Sequence, residues 1–173
     1  MLSINTGWRA KLTTSNDIAL ALAQIDLFKG LVHEQLKKIA TKVRLESKKE
    51  GSFLILENQI GDEIFIILSG SLEVGIFLPG GQEMEHVTNI GGGHVLGELA
   101  LVGADRRSAS VKVLRDTQYL VAKSSDLLSV FREDPALGFA FMTNLATVLA
   151  ARLVKTTKSL GNTHYALRLA GGG

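Results

Sequence analysis

Residues 63–78 read EIFIILSGSLEVGIFL, and how this stretch is parsed decides the fold. Ile64, Ile66 and Leu68 alternate with Phe65 and Ile67, so β-branched and aromatic residues point to both faces, as in a strand covered on two sides. Ser69-Gly70 then supplies turn chemistry, and Ser71 to Leu78 resumes the period of two. The stretch predicts two short strands joined by a turn. Outward from it, Ser52 to Leu56, Glu83 to Ile90, Ser108 to Leu114 and Thr117 to Ala122 have the same character, and Asn58 to Gly61 and Pro79-Gly80-Gly81 mark further turns. Strands this short, with no helices long enough for crossovers between them, predict an antiparallel sandwich or jelly-roll barrel over 44–123.

On both sides the period changes to that of a helix. Asp17 to Gln24 and Val32 to Val43 carry apolar residues at helical spacing, with Ser15 or Asn16 available as an N-cap. A short helix is expected from Ser125 to Arg132. A long one is expected from Pro135, in its first turn, to Leu160, where Gly161-Asn162 offers a stop. Met142, Ala146, Leu149, Leu153, Thr156 and Leu160 step along it as an a/d seam, which predicts a homodimer through the 136–160 helix. The resulting division is an N-terminal extension over 1–15, helices over 16–43, the β unit over 44–123, C-terminal helices over 124–161, and a flexible tail over 163–173.

Composition narrows the function classes. The chain has 173 residues, no cysteine, and Lys+Arg 19 against Asp+Glu 17 for a net charge of +2. Without thiols, cysteine catalysis, cysteine-bound zinc and iron–sulfur clusters are ruled out, and nothing argues for an oxidising compartment, so a cytoplasmic location is expected. No apolar run approaches the ~20 residues of a membrane helix, so no membrane span is expected. The four histidines, at 33, 86, 94 and 164, are scattered and include no His-x-His pair of the kind a metal-binding jelly roll uses. No Gly-x-Ser-x-Gly elbow occurs either, so no enzyme is predicted and no cofactor or metal is expected. Gly91-Gly92-Gly93-His94 lacks the Gly-Lys-Ser/Thr of a phosphate loop and reads as a mobile connection.

The segment that carries chemistry is Gly97-Glu98-Leu99-Ala100-Leu101 followed by Arg106-Arg107-Ser108-Ala109. Residues 97–102 are too rich in Leu and Ala for a turn and too short for an ordinary helix, so they read as one helical turn inserted between strands. The start of such a turn leaves backbone N–H groups without internal partners and favours an anion. Arg107 can place a planar guanidinium on two phosphate oxygens, and Ser108 can add a hydroxyl donor. Glu98 cannot bind phosphate, but it can accept a hydrogen bond from a sugar hydroxyl. Taken singly, these residues read more simply as an ordinary surface ion pair. In combination they describe a pocket for a sugar phosphate.

This segment resembles the phosphate-binding cassette of the cyclic nucleotide-binding domain family, whose pattern is G-E-[LI]-[AG]-L and then R-[AST]-A. Glycines at 51, 61 and 70 resemble the turns of that family, and Leu96 departs from it where many relatives carry Phe. The resemblance implies an eight-stranded jelly-roll barrel, mainly β with flanking helices. It implies ligand contacts from Gly97, Glu98, Leu99, Ala100, Arg107, Ser108 and Ala109. In the long helix, Ala151-Arg152-Leu153 and Thr156-Thr157 resemble the dimer helix of the catabolite-activator branch, which implies that Thr156 and Thr157 cap the base, in their own subunit or in a partner's. The expected function is a regulatory sensor that binds cAMP, with cGMP selectivity or a nucleotide-insensitive interaction module as alternatives. Only eleven residues follow Asn162, too few for a winged helix, so an effector protein and not DNA is the expected partner.

Overall fold

The computed structural model describes residues 12–81 and 83–170. Helix α1 (Ser15–Leu22), a 3₁₀ turn (Asp26–Phe28) and helix α2 (His33–Ala40) precede six strands. The cap of α1 is Thr14 and not Ser15 or Asn16. Its hydroxyl accepts from the Asp17 N–H (3.1 Å) while Asp17 Oδ2 accepts from the Thr14 N–H (3.0 Å), and only Thr14 stands three residues before a carboxylate that can reciprocate.

The strands are β1 (Arg44–Lys48), β2 (Phe53–Ile55), β3 (Glu63–Phe77), β4 (Met84–Gly91), β5 (Val95–Leu96) and β6 (Ser110–Lys123). All pairings are antiparallel. The sheet runs β1-β6-β3-β4, with β2 also on β6 and β5 on β3. In place of the expected eight-stranded jelly-roll barrel, the described residues form six strands in a sheet that does not close. Two strands do the work of four. β3 passes through Ser69-Gly70 without a turn, and β6 passes through Arg115-Asp116, each shifting register against the other at that level. Gly70 permits this with a φ of 110°, and a Cβ there would come within 2.7 Å of Thr117 Cα, so the two backbones cross closely and bend together while staying hydrogen-bonded.

Alternation along the two long strands divides the core. Ile64, Ile66, Leu120 and Ala122 face the helices, while Phe65, Ile67, Leu72, Val111, Val113 and Val121 fill the hollow side of the bent sheet. Gly91 to His94 is pinned to β3, since the Gly93 N–H donates to Ile67 O and the Ile67 N–H to His94 O, both at 2.8 Å.

Helix α3 (Ser124–Glu133) and helix α4 (Pro135–Ala170) close the chain. Asp134 caps α4 by accepting from the Leu137 N–H (3.0 Å), with Pro135 in the first turn as expected. Leu137, Phe141 and Leu145 bury the start of α4 against the helical core. The expected stop at Gly161-Asn162 is corrected: α4 continues to Ala170, so the expected tail is helical over 163–170, and residues 171–173 lie outside the described residues. Gly161 has no positive φ, and Tyr165-Ala166-Leu167-Arg168 beyond it are adequate helix formers, so the ~1 kcal/mol cost of a helical glycine is carried by its neighbours. Within Pro135–Asn162 an 18-residue window reaches a mean hydropathy of 1.6, so this helix is long and apolar enough to cross a membrane by length and composition, although no single apolar run in it approaches that length. Its first half is instead committed to the domain core.

Candidate functional site

Between β5 and β6 the chain makes a 3₁₀ turn, Glu98–Val102, flanked by Gly97 (φ 72°) and Gly103 (φ 94°), both in the left-handed region that glycine tolerates. The expected single helical turn is thus present, in its tighter form. Residues 105–107 then run against the loop 58–61. The Asn58 N–H donates to Arg107 O (2.8 Å), the Arg107 N–H to Gln59 O (2.9 Å) and the Gly61 N–H to Asp105 O (3.1 Å). Arg106 Nη1 donates to Asn58 O (2.8 Å), which turns that guanidinium toward the loop.

These segments enclose a hollow of about 130 Å³. Gly97, Glu98, Leu99, Ala100, Arg107, Ser108 and Ala109 all line it, so seven of the nine expected contact residues converge on one place. Ile55, Val74, Leu96 and Val111 supply apolar walls. Thr156 and Thr157 are exposed on α4 and are not part of this lining.

Arg107 is half-buried, with its guanidinium carbon 5.6 Å from the centre of the Phe65 ring. It makes no hydrogen bond or ion pair among the described side chains. Burial pushes its pKa down, and the fields of Glu63, Asp62 and Glu98 oppose that shift. A cation held partly out of water, with its donors uncommitted, is suited to a singly charged anion such as a phosphodiester.

Glu98 has a different environment. Its side chain is only 7% exposed, and it forms an ion pair with Arg152 Nη1, while Arg152 Nη2 donates to Val95 O at 2.8 Å. Arg152 belongs to α4 and also lines the hollow, so the long helix reaches the site through a guanidinium one turn before the threonines expected to do so. Sequence reasoning missed this residue as a contact. The available signal was an arginine placed directly before Leu153 of the apolar seam.

The description "Cyclic nucleotide-binding domain" belongs to the family model that matches residues 45–134. Among curated proteins, the chain is 28% identical over 127 residues to the cyclic AMP receptor protein of Thermus thermophilus, covering 73% of this chain and 56% of that protein. It is 29% identical over 136 residues to the anaerobic regulatory protein of Bacillus subtilis, covering 78% and 55% respectively. The chain thus spans about half the length of these relatives. Among solved structures, a cyclic nucleotide-binding domain from Methylobacillus flagellatus superposes with a TM-score of 0.72 at 22% identity, covering 82% of this chain and 79% of that one, a likeness of fold. The Thermus thermophilus catabolite activator protein superposes with a TM-score of 0.68 at 26% identity, covering 79% and 62%. A family match over half of the chain, meeting an uncommitted arginine and a buried glutamate in one hollow, establishes that this chain belongs to the cyclic nucleotide-binding domain family.

Proposed function

We propose that this domain is a sensor that binds a cyclic purine mononucleotide, cAMP in preference to cGMP, and relays occupancy through α4. The observation that carries the reading is the Arg107 guanidinium, half-buried and without a hydrogen-bond partner, in the same hollow as Glu98. Arg107 and Ser108 take the cyclic phosphate, and Glu98 accepts from a ribose hydroxyl. Leu99, Ala100 and Ala109 shape the wall, and Gly97 brings the backbone close. The preference for cAMP is supported by a relative named for cyclic AMP. The cGMP alternative is supported by a Drosophila cGMP-dependent protein kinase, 31% identical over 90 residues that form 10% of that protein.

The hollow is smaller than the ~300 Å³ at which small-molecule pockets begin, and Arg152 forms one of its walls. A nucleotide therefore engages α4 as it enters. In this reading Thr156 and Thr157, one turn further along, cap the base once the helix adjusts, in this subunit or across a homodimer. The switch is a population shift: a ligand touching both the 3₁₀ turn and α4 favours the arrangement that joins them.

Calorimetry with cAMP and cGMP tests the proposal. Binding at micromolar concentration is expected, with cAMP displacing a labelled analogue more effectively than cGMP. Arg107→Ala should cost about 2–5 kcal/mol of affinity, since a charge-assisted pair is lost. Failure of both nucleotides to bind, or an Arg107→Ala variant as tight as the wild type, refutes the assignment. Stronger displacement by cGMP reverses the choice of base.

A further inference from the structure

We infer that Gly61 is a positioning residue for Arg107: the missing side chain at 61 leaves the slot that the guanidinium occupies, and the Phe65 ring forms the slot's other face. The inference rests on the reading of Arg107 as the phosphate ligand. Three observations support it. A Cβ built on Gly61 would come within 2.5 Å of Arg107 Nε, 2.6 Å of Nη2 and 2.8 Å of Cζ, and these are its nearest neighbours outside the adjacent chain. No backbone atom is among them. Gly61 also has no positive φ, so alanine can adopt its backbone without strain, unlike at Gly97, where φ is 72° and a Cβ would also come within 2.5 Å of Glu63 O. At 61, then, a side chain would displace the arginine and not the backbone.

The second face of the slot is the ring. Arg107 Cζ stands 5.6 Å from the Phe65 centroid, and Phe65 is itself fixed edge-on to Tyr119 at 5.6 Å. The frame around the slot is rigid, because the loop 58–61 and residues 105–107 exchange the backbone hydrogen bonds described above. A flexible arginine with no hydrogen-bond partner would ordinarily sample many rotamers, and ordering it costs free energy at binding. Wedged between a glycine and a ring, it is ordered beforehand, which is what a preformed anion site needs.

The test is Gly61→Ala in the full chain. Misplacing the guanidinium by about 1 Å should weaken cAMP binding by about tenfold or more. In the Arg107→Ala background the same substitution should do nothing further, measured by competition against a fluorescent cAMP analogue. Equal affinity of Gly61→Ala and wild type, or an equal loss in both backgrounds, overturns the inference. A second readout needs no nucleotide: the Arg107 Nε–Hε resonance in an NMR spectrum is expected away from the solvent-exposed arginine position in the wild type and back toward it in Gly61→Ala, and an unmoved resonance overturns the slot. If wild type binds neither nucleotide, the functional reading is what fails, and the resonance still decides whether Gly61 places the arginine. Should Gly61→Ala not fold, Gly61→Ala with Arg107→Ala should fold, since the obstructing side chain is gone; failure of both would show that the backbone demands the glycine.

Discussion

At the scale of single residues, Arg152 and Glu98 are the pair whose loss should be felt most. Glu98 is nearly buried and Arg152 is 41% exposed, so the pair is half desolvated, and its net contribution is smaller than that of a fully buried ion pair. Removing only the arginine is worse than removing both, because it strands a buried carboxylate. Arg152→Ala is therefore expected to lower stability by about 1–3 kcal/mol, read as a lower urea midpoint with an unchanged m-value. Arg152→Ala with Glu98→Gln should recover part of that loss, and a double variant no better than the single one would mean that the Val95 carbonyl contact matters more. The same pair shows where sequence reading stops. Glu98 and Arg107 were legible because their chemistry is written within a dozen positions of chain. Arg152 acts across 54 positions, and no local pattern indicates which carboxylate a helix surface arginine will meet.

Elements were legible in type and misjudged in continuity. Both long strands read locally as pairs of short ones, the first because Ser69-Gly70 has turn chemistry and the second because Arg115-Asp116 interrupts the β pattern, yet β3 and β6 support each other's bend, and that mutual pairing lies outside any local window. The helix starts were better marked, since a cap and a proline act locally. Asp134 at the head of α4 carries a testable consequence. The Lys38 ammonium (2.7 Å), and after it the Leu137 N–H, hold the Asp134 carboxyl below its ordinary value of 3.8. A carboxyl depressed in the folded state stabilises the fold above its unfolded pKa, and this contribution is lost as pH falls through the folded value. Asp134→Asn should therefore unfold at a lower temperature than wild type at pH 7, and the difference should shrink below about pH 4 as the wild type loses its ion pair. A difference in melting temperature that stays constant from pH 7 to pH 3 would contradict this account. Lys38→Met should reproduce part of the effect, as the larger of the two causes.

At the scale of the whole molecule, α4 leaves apolar residues of its seam exposed beyond the point where it packs on the core. Met142 and Leu149 still lean on the helical core, but Leu153 is 68% exposed and Leu160 62%, and both lie on the seam that predicted self-pairing. From residue 150 to 162 the helix extends about 20 Å at 1.5 Å per residue, and a second copy lying along it, parallel or antiparallel, would cover Leu153 and Leu160. Burial of each leucine contributes about 1.5–3 kcal/mol, and two-fold symmetry counts each one twice. Light scattering should accordingly give twice the monomer mass of 18.6 kDa at tens of micromolar protein. Leu153→Lys should return the monomer mass while leaving the far-ultraviolet spectrum unchanged, because position 153 touches none of the buried core. A wild type that scatters as a monomer at that concentration, with and without nucleotide, would remove the dimer and with it the placement of Thr156 and Thr157 in a partner's pocket.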